Sequence, residues 1–584
     1  MLLKLIGILS FVFLSVAPLR ASGEQIQILV EGLSGNVLDN ARRALVLPPG
    51  IIDHDRVDEL WLQQFEEQIP RNVRTAMEPF GYYQPEISVH REKSEEGIYL
   101  LKVAVQPGPP ILVRSVHVRL EGPGADEPVL KKQVSIFPLA KGDILRQDLY
   151  EQAKQDLRNI AYDLGFINAA YTIHTLQLMS DRSTADIDLV LQTGIRYAFG
   201  EITFTATVDY PDGFLRRYSA FKPGDVFSYK ATAKTQSNFI DTDRFRRVLI
   251  NPRIDAAAEG RIPVDITLTP APPKSVKTGI GYGTDTGPRA SVLYRDLNVF
   301  GWGHEFQTEL KVSPIIQGVA SRYVWPSASD IQSLTALTLS LQREQTDTYT
   351  TRLIKTEVER ARGFGDGRSG SLFVQLQVEN SETGKQTTNS LLLMPGIRYS
   401  GMHYDDVVRP TRGFNYRLEF RGTHESLGSD TGFIQGLSYG QVVIPLPARL
   451  SLSTRAQAAT TWQDDSAHNL PVSVRFFAGG DRSVRGSAYQ SLGPKDEMGN
   501  IVGGRSLLVG SVEIERAIRQ NWGTAVFYDA GNAFDSLSDI KVAQGAGIGI
   551  RYYSPFGPIR LDLARRIGIS EPSWHIHLTV GLGQ

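Results

Sequence analysis

The chain has 584 residues, 62 Lys plus Arg against 63 Asp plus Glu for a formal net charge of -1, 54 Gly, 25 Phe, 22 Tyr and no Cys. The balanced charge excludes a basic nucleic-acid binder, which needs surplus cations against phosphate, and the missing cysteine excludes disulfide staples and thiolate metal sites. At roughly 150 residues per domain the length implies about four domains, one of which can be a large β domain.

Lys4 precedes an apolar run from Leu5 to Val16, and small residues follow at Ala21-Ser22-Gly23. This layout predicts a secretory signal peptide over residues 1–23, cleaved before Glu24 with Ala21 as an alternative end, because the run is too short to cross a bilayer as a helix. No later stretch approaches 18 consecutive apolar residues. An exported chain without a spanning helix is either soluble or a membrane β-barrel.

From Glu24 to Pro273 the sequence repeats itself. Ile26-Gln27-Ile28-Leu29-Val30-Glu31-Gly32 aligns with Val116-His117-Val118-Arg119-Leu120-Glu121-Gly122, and a weaker copy begins at Ile202. Phe80-Gly81 answers Leu164-Gly165, and Gly142-Asp143 answers Gly224-Asp225. Leu149, Ala153, Leu157, Ile160 and Leu164 recur at helical spacing, and alternating strands close each unit. The order strand, helix, helix, strand, strand is expected three times, over 24–110, 111–195 and 196–273, as small α+β domains in series.

From Lys274 to Gln584 the pattern becomes strict alternation. Leu372, Val374, Leu376 and Val378 oppose Phe373, Gln375, Gln377 and Glu379, and Ile576, Leu578, Val580 and Leu582 oppose His575, His577, Thr579, Gly581 and Gly583. Charges occupy the polar face of Ile559-Arg560-Leu561-Asp562-Leu563, which suits a water-filled lumen and not a dry sandwich. Strands of about 9–11 residues and the even-number rule for bacterial barrels predict 16 antiparallel transmembrane strands over 274–584.

A long loop, Ala478 to Arg505, is expected between a strand at Val472–Phe477 and one starting at Ser506; loops of that length are usually functional. It contains Gly479-Gly480-Asp481-Arg482-Ser483-Val484-Arg485-Gly486. Strand parity points Glu513, Glu515 and Asp529 inward. Gly279, Gly281 and Gly283 share one face of the first barrel strand, and Gly581 and Gly583 lie on the last. Glycine weakens strand packing and marks flexible edges, so the first and last strands are expected to form a lateral seam that opens. The sequence shows no Gly-x-Ser-x-Gly, His-Glu-x-x-His or Walker motif, so neither an enzyme nor a cofactor or metal is expected. His575 and His577 read as lumen-facing polar residues.

The three repeats resemble polypeptide-transport-associated (POTRA) domains, and the Val484-Arg485-Gly486 loop resembles the lid-loop signature of the BamA/TamA outer-membrane assembly factor superfamily. Ser487 departs from the aromatic usual after that signature, and Tyr489 is its nearest substitute. Gly-Ser-Val-Glu ending at Glu513 and Phe-Tyr-Asp-Ala-Gly-Asn containing Asp529 resemble the family's acidic strand motifs. The resemblance implies α+β periplasmic repeats followed by a 16-stranded transmembrane β-barrel in the outer membrane of a Gram-negative bacterium. It implies a lid loop folded into the lumen, with Gly479, Gly480, Asp481, Arg482, Val484, Arg485 and Gly486 as its motif and Glu513 and Asp529 pairing with it. Three repeats imply the translocation-and-assembly-module branch, which inserts client outer-membrane proteins such as autotransporters and works beside a TamB-like, periplasm-spanning partner and outer-membrane lipid. A two-partner secretion transporter, with two repeats and an N-terminal plug helix, and a passive channel, with neither repeats nor such a loop, are the rivals.

Overall fold

The computed structural model describes residues 26–53, 56–94, 98–179, 183–206, 210–327, 330–347, 349–383, 386–406, 408–463, 470–554, 557–568 and 574–581. The expected signal peptide and Gly583 lie outside the described residues. Two compact units are present: 1–202 with 221–233 and 252–264, and 203–220 with 234–251 and 265–584.

The first repeat comprises β1 (Ile26–Glu31), α1 (Gly35–Ala44), a short hairpin of β2 (Ile52–Asp53) and β3 (Arg56–Val57), α2 (Glu59–Met77), β4 (Glu86–Lys93) and β5 (Tyr99–Gln106), with sheet order β1-β5-β4. Asp58 starts α2 by accepting the N–H groups of Leu60 and Trp61 at 3.0 and 3.1 Å, two of the donors that a helix start leaves without partners. Leu62, Phe65, Ile69, Val73 and Met77 then fall on one stripe of α2 and pack on the alternating Tyr99, Leu101, Val103 and Val105 of β5. Burying each such side chain contributes roughly 1.5–3 kcal/mol.

The second repeat runs β6 (Leu112–Glu121), α3 (Pro128–Ser135), α4 (Gln147–Asp163), β7 (Ala170–Leu178) and β8 (Thr184–Gln192), with order β6-β8-β7. The stripe of α4 is centred on Tyr150, Ala153, Leu157 and Ala161, with the expected Leu149, Ile160 and Leu164 half-buried on its flank. The third repeat runs β9 (Ala198–Ala206), α5 (Asp212–Arg216), α6 (Tyr229–Ile240), β10 (Phe245–Pro252) and β11 (Arg261–Pro270), with order β10-β11-β9.

The recurring glycines mark joints. Gly81 has φ +89° and its carbonyl accepts Ile111 N–H at 2.9 Å; Gly165, also at φ +89°, accepts Tyr197 N–H at 2.8 Å. A Cβ at Gly81 would lie 2.6 Å from the Leu145 carbonyl oxygen, and one at Gly165 would lie 2.8 Å from that of Tyr197. Each glycine thus admits the backbone of the following repeat, at a dihedral L side chains rarely adopt. The Gly-Asp turns are equivalent as well: Asp143 accepts Ala140 N–H at 2.7 Å and Asp225 accepts Lys222 N–H at 2.8 Å.

The barrel is a closed antiparallel sheet of 16 strands in chain order. Its first half is β12 (Lys274–Gly283), β13 (Gly287–Val299), β14 (His304–Val312), β15 (Ile316–Pro326), β16 (Ser333–Gln345), β17 (Tyr349–Gly365), β18 (Arg368–Thr383) and β19 (Gln386–Tyr404). The second half is β20 (Gly413–Thr423), β21 (Phe433–Leu446), β22 (Leu450–Trp462), β23 (Ser506–Arg519), β24 (Trp522–Phe534), β25 (Ala543–Ser554), β26 (Gly557–Ile567) and β27 (Trp574–Val580). Alternation sorts the faces as expected: on β18, Leu372, Val374, Leu376 and Val378 are exposed while Phe373, Gln375, Gln377 and Glu379 are buried.

Two details differ from the sequence reading. Strand lengths run from the 7 residues of β27 to the 19 of β19, because ladders on the β17–β19 side continue past what a bilayer requires. No strand forms at 472–477: Val472–Val474 is a 3-10 turn, and only isolated bridges follow, such as Phe476 to Gly504. Those residues alternate because the segment lies against the lumen wall, so the loop between β22 and β23 starts already at Gln463.

Candidate functional site

The described part of this loop, Leu470 to Arg505, lies inside the barrel. Leu470 and Val474 pack against Leu392, Met394 and Phe433 of the wall, and Ser473 donates its hydroxyl and N–H to Glu379. Farther on, Ala478, Val484 and Leu492 pack with Val509 and Ala543. On the other wall, Gln490 Nε2 and the Tyr489 hydroxyl reach Glu344 of β16 at 3.2 and 3.4 Å. Apolar wedges and polar anchors on opposite walls together seat the loop as a lid.

Arg485 is the centre of the lid. It is 5% exposed, and its Nε and Nη2 form a two-pronged grip on Asp529, at 2.7 and 2.9 Å. Nη1 reaches Glu513 at 2.7 Å and Asp562 at 3.2 Å, and the backbone N–H of Arg485 also donates to Asp529, at 3.0 Å. The guanidinium carbon lies 3.4 Å from the Phe527 ring centroid, so the aromatic partner comes from β24, while Tyr489 serves the Glu344 anchor. Burial opposes the charge on Arg485, but Asp529, Glu513 and Asp562 outweigh it and hold the group firmly protonated. A second guanidinium, Arg551, bridges Glu513 at 3.0 Å and Asp562 at 2.5 Å. Two arginines thus stand against three carboxylates, a formal charge of -1 when all are ionised.

Gly545 on β25 makes room for this seat: a Cβ there would come 1.9 Å from the Arg485 carbonyl oxygen, whereas one at Gly510 would meet nothing within 4 Å. Gly545→Ala is therefore expected to push the loop off its wall at a cost of about 1–3 kcal/mol. Faster protease cleavage of the loop, with Gly510→Ala cleaved at the wild-type rate, checks it.

The seam lies beside the lid. β12 and β27 share two register pairs, Tyr282↔Val580 and Gly283↔Thr579, whereas β12 and β13 pair continuously from Lys274↔Asp296 to Gly283↔Gly287. Gly279, Gly281 and Gly283 are all on β12, while Gly581, at φ +100°, directly follows β27 and donates its N–H to the Pro558 carbonyl of β26 at 3.1 Å. This bond follows the β26–β27 register one step past Ile559↔Val580, and Leu582 lies outside the described residues. Among the described residues, the edge of β12 from Lys274 to Gly281 has no register partner on β27.

The remaining motif residues hold the lid near this seam. Asp481 N–H donates to Asp285, in the turn after β12, at 2.6 Å; burial and the Asp481 carboxylate push the Asp285 carboxyl up to about 6. Gly479 N–H is taken by Ser483 at 3.0 Å, and Arg482 is exposed within the lumen. Glu515, also inward, pairs instead with Arg409 at 3.2 Å and Tyr553 at 2.6 Å. Sequence reasoning missed Asp562, Arg551, Phe527 and His577 as partners of the lid. Parity marked Asp562 as inward, but only the β26–β27 register, which sets Asp562 opposite His577, brings it to the loop.

These features define a class: an outer-membrane β-barrel with periplasmic α+β repeats, a lid folded into its lumen and a short-paired seam. Residues 298–581 match the Omp85 superfamily domain and residues 27–107 match POTRA domain TamA domain 1; the barrel half is an Omp85 superfamily domain, preceded by a POTRA domain. The chain is 19% identical over 498 residues to the outer membrane protein assembly factor BamA of Nitratidesulfovibrio vulgaris, an alignment covering 82% of this chain and 62% of that protein. It is 22% identical over 422 residues to BamA of Neorickettsia risticii, covering 64% and 53%. The chain thus spans somewhat over half the length of these curated relatives. The crystal structure of BamA from Haemophilus ducreyi lacking POTRA domains 1-3 superposes with a TM-score of 0.68 at 17% identity, over 80% of this chain and 99% of that one.

Proposed function

We propose that this protein assembles client β-barrels in the outer membrane by offering the edge of β12 as a template for their strands. The observation that carries the reading is the edge of β12 from Lys274 to Gly281, which pairs with none of the described residues of β27. Open backbone donors and acceptors recruit a strand by β-augmentation, and a client strand added there gains a ladder that β27 does not supply. The similarity to BamA proteins supports an assembly role. The POTRA match of the TamA type and the three repeats support the finer assignment to a TamA-like subunit with a TamB-like partner and autotransporter clients. No covalent chemistry and no cofactor enter this mechanism. A lid that occupies the lumen on several walls weighs against a transporter passing unfolded chain through the barrel, and against a passive channel.

A photo-crosslinking residue placed at Val276, on β12, is expected to capture a newly made outer-membrane client, while one at Leu310, on β14, captures none. Capture from the lumen-facing Arg560 with none from Val276 would sink the template reading in favour of translocation.

A further inference from the structure

His577 on β27 is 4% exposed, and the lid uses both of its ring nitrogens. Nε2 accepts the Gly486 N–H at 2.9 Å, and Nδ1 lies 2.5 Å from Asp481 Oδ1. A backbone N–H can only donate, so Nε2 is bare and the ring proton sits on Nδ1, facing the carboxylate. Asp481 also accepts the Thr579 hydroxyl at 3.1 Å and donates its N–H to Asp285 at 2.6 Å. Thr579 and His577 belong to β27, and Asp285 to the turn that leaves β12. One lid residue therefore holds both strands of the seam, beside the Gly283↔Thr579 pair and the Thr284 N–H bond to the Leu578 carbonyl at 3.1 Å.

The donor atoms of Asp285, Asp481 and His577 lie close enough together to suit a cation, but the tautomer argues otherwise. A metal on Nδ1 would move the ring proton to Nε2, where it would face the Gly486 N–H, donor against donor. The cluster instead works as a hydrogen-bonded clasp.

We propose that His577, as its Nδ1–H tautomer, is a positioning residue that latches the lid loop to the seam, so that β12 and β27 part only when the lid lets go. This rests on the template reading above, and gives it a control point: the motif loop governs access to the β12 edge.

The test uses the full chain in lipid nanodiscs, with spin labels at Ile280 and Ile576, which are exposed on the outer face of β12 and β27. Wild type is expected to give one narrow distance. His577→Ala and Asp481→Ala are each expected to raise the separated population roughly tenfold or more, as losing a hydrogen bond to a charged group does, and the double variant no further than Asp481→Ala alone. Retained heat-modifiable mobility on gels shows that the variants are folded barrels. In nitrogen-15 spectra of the wild type, the His577 ring should show a protonated Nδ1 and a bare Nε2. Unchanged distances in both folded variants, or the opposite tautomer, would overturn the latch. Separated strands with normal client insertion would leave the latch standing and overturn the template reading instead.

Discussion

Arg485→Ala is expected to be the most damaging single substitution in the barrel, costing about 3–5 kcal/mol, the usual penalty for removing one partner from a buried ion pair. The reason is charge arithmetic. With Arg485 present, two guanidiniums bond three carboxylates; without it, Arg551 bonds only Glu513 and Asp562, and Asp529, which is fully buried, loses its two-pronged partner. Asp562→Asn, by contrast, leaves two of each sign and should cost far less. Arg485→Lys keeps the charge but not the two-pronged grip on Asp529, and should fall between them. Thermal unfolding followed by loss of heat-modifiable mobility, together with protease cleavage of the lid, orders the three variants. An Arg485→Ala barrel as stable as wild type, with its loop equally protected, would mean that the ion cluster does not hold the lid.

The second large effect concerns the seam. Cysteines at Tyr282 and Val580, which are direct register partners, meet the spacing a disulfide needs, since opposed Cβ atoms in an antiparallel pair are about 4.5–5.5 Å apart and close slightly on bridging. The chain has no other cysteine, so the bridge forms without competition. Oxidised protein is expected to lose client insertion nearly completely and to regain it on reduction. Each single-cysteine variant should insert clients at the wild-type rate under both conditions. Insertion that persists with the bridge demonstrably closed would exclude passage through this seam. Gly281 is a poor site for such a lock, because a Cβ there would lie 2.8 Å from the Val580 carbonyl oxygen.

How much of this was legible in the sequence depends on the range of the interaction concerned. Period-two alternation marks the faces of β18 without any knowledge of its neighbours, because lipid lies on one side and water on the other. The α4 stripe was legible for the same reason, although its centre is displaced toward Tyr150 by the way the helix lies on its sheet. Asp529 and Glu513 could be placed inward by parity alone. Asp562, Arg551 and His577 carry the same parity, yet nothing local distinguishes them from Glu515, which faces inward and pairs elsewhere. Their role depends on register across several strands and on where a loop comes to rest. The segment 472–477 misled for a related reason: alternation reports that one side is buried, and a chain lying against the lumen wall alternates as a strand does. The short ladder between β12 and β27 was foreshadowed by glycines, but its extent depends on where β27 stops, which no pattern within one strand encodes.

The glycine joints at Gly81 and Gly165 have a mechanical consequence. At each, the main chain of one repeat is hydrogen-bonded to the main chain of the next, through Ile111 and Tyr197, at a distance that leaves no space for a side chain to yield. A joint made in this way tolerates glycine alone. Adding a methyl at either position would have to push the two main chains apart, so Gly81→Ala and Gly165→Ala are each expected to lengthen that hydrogen bond and make its amide exchange faster.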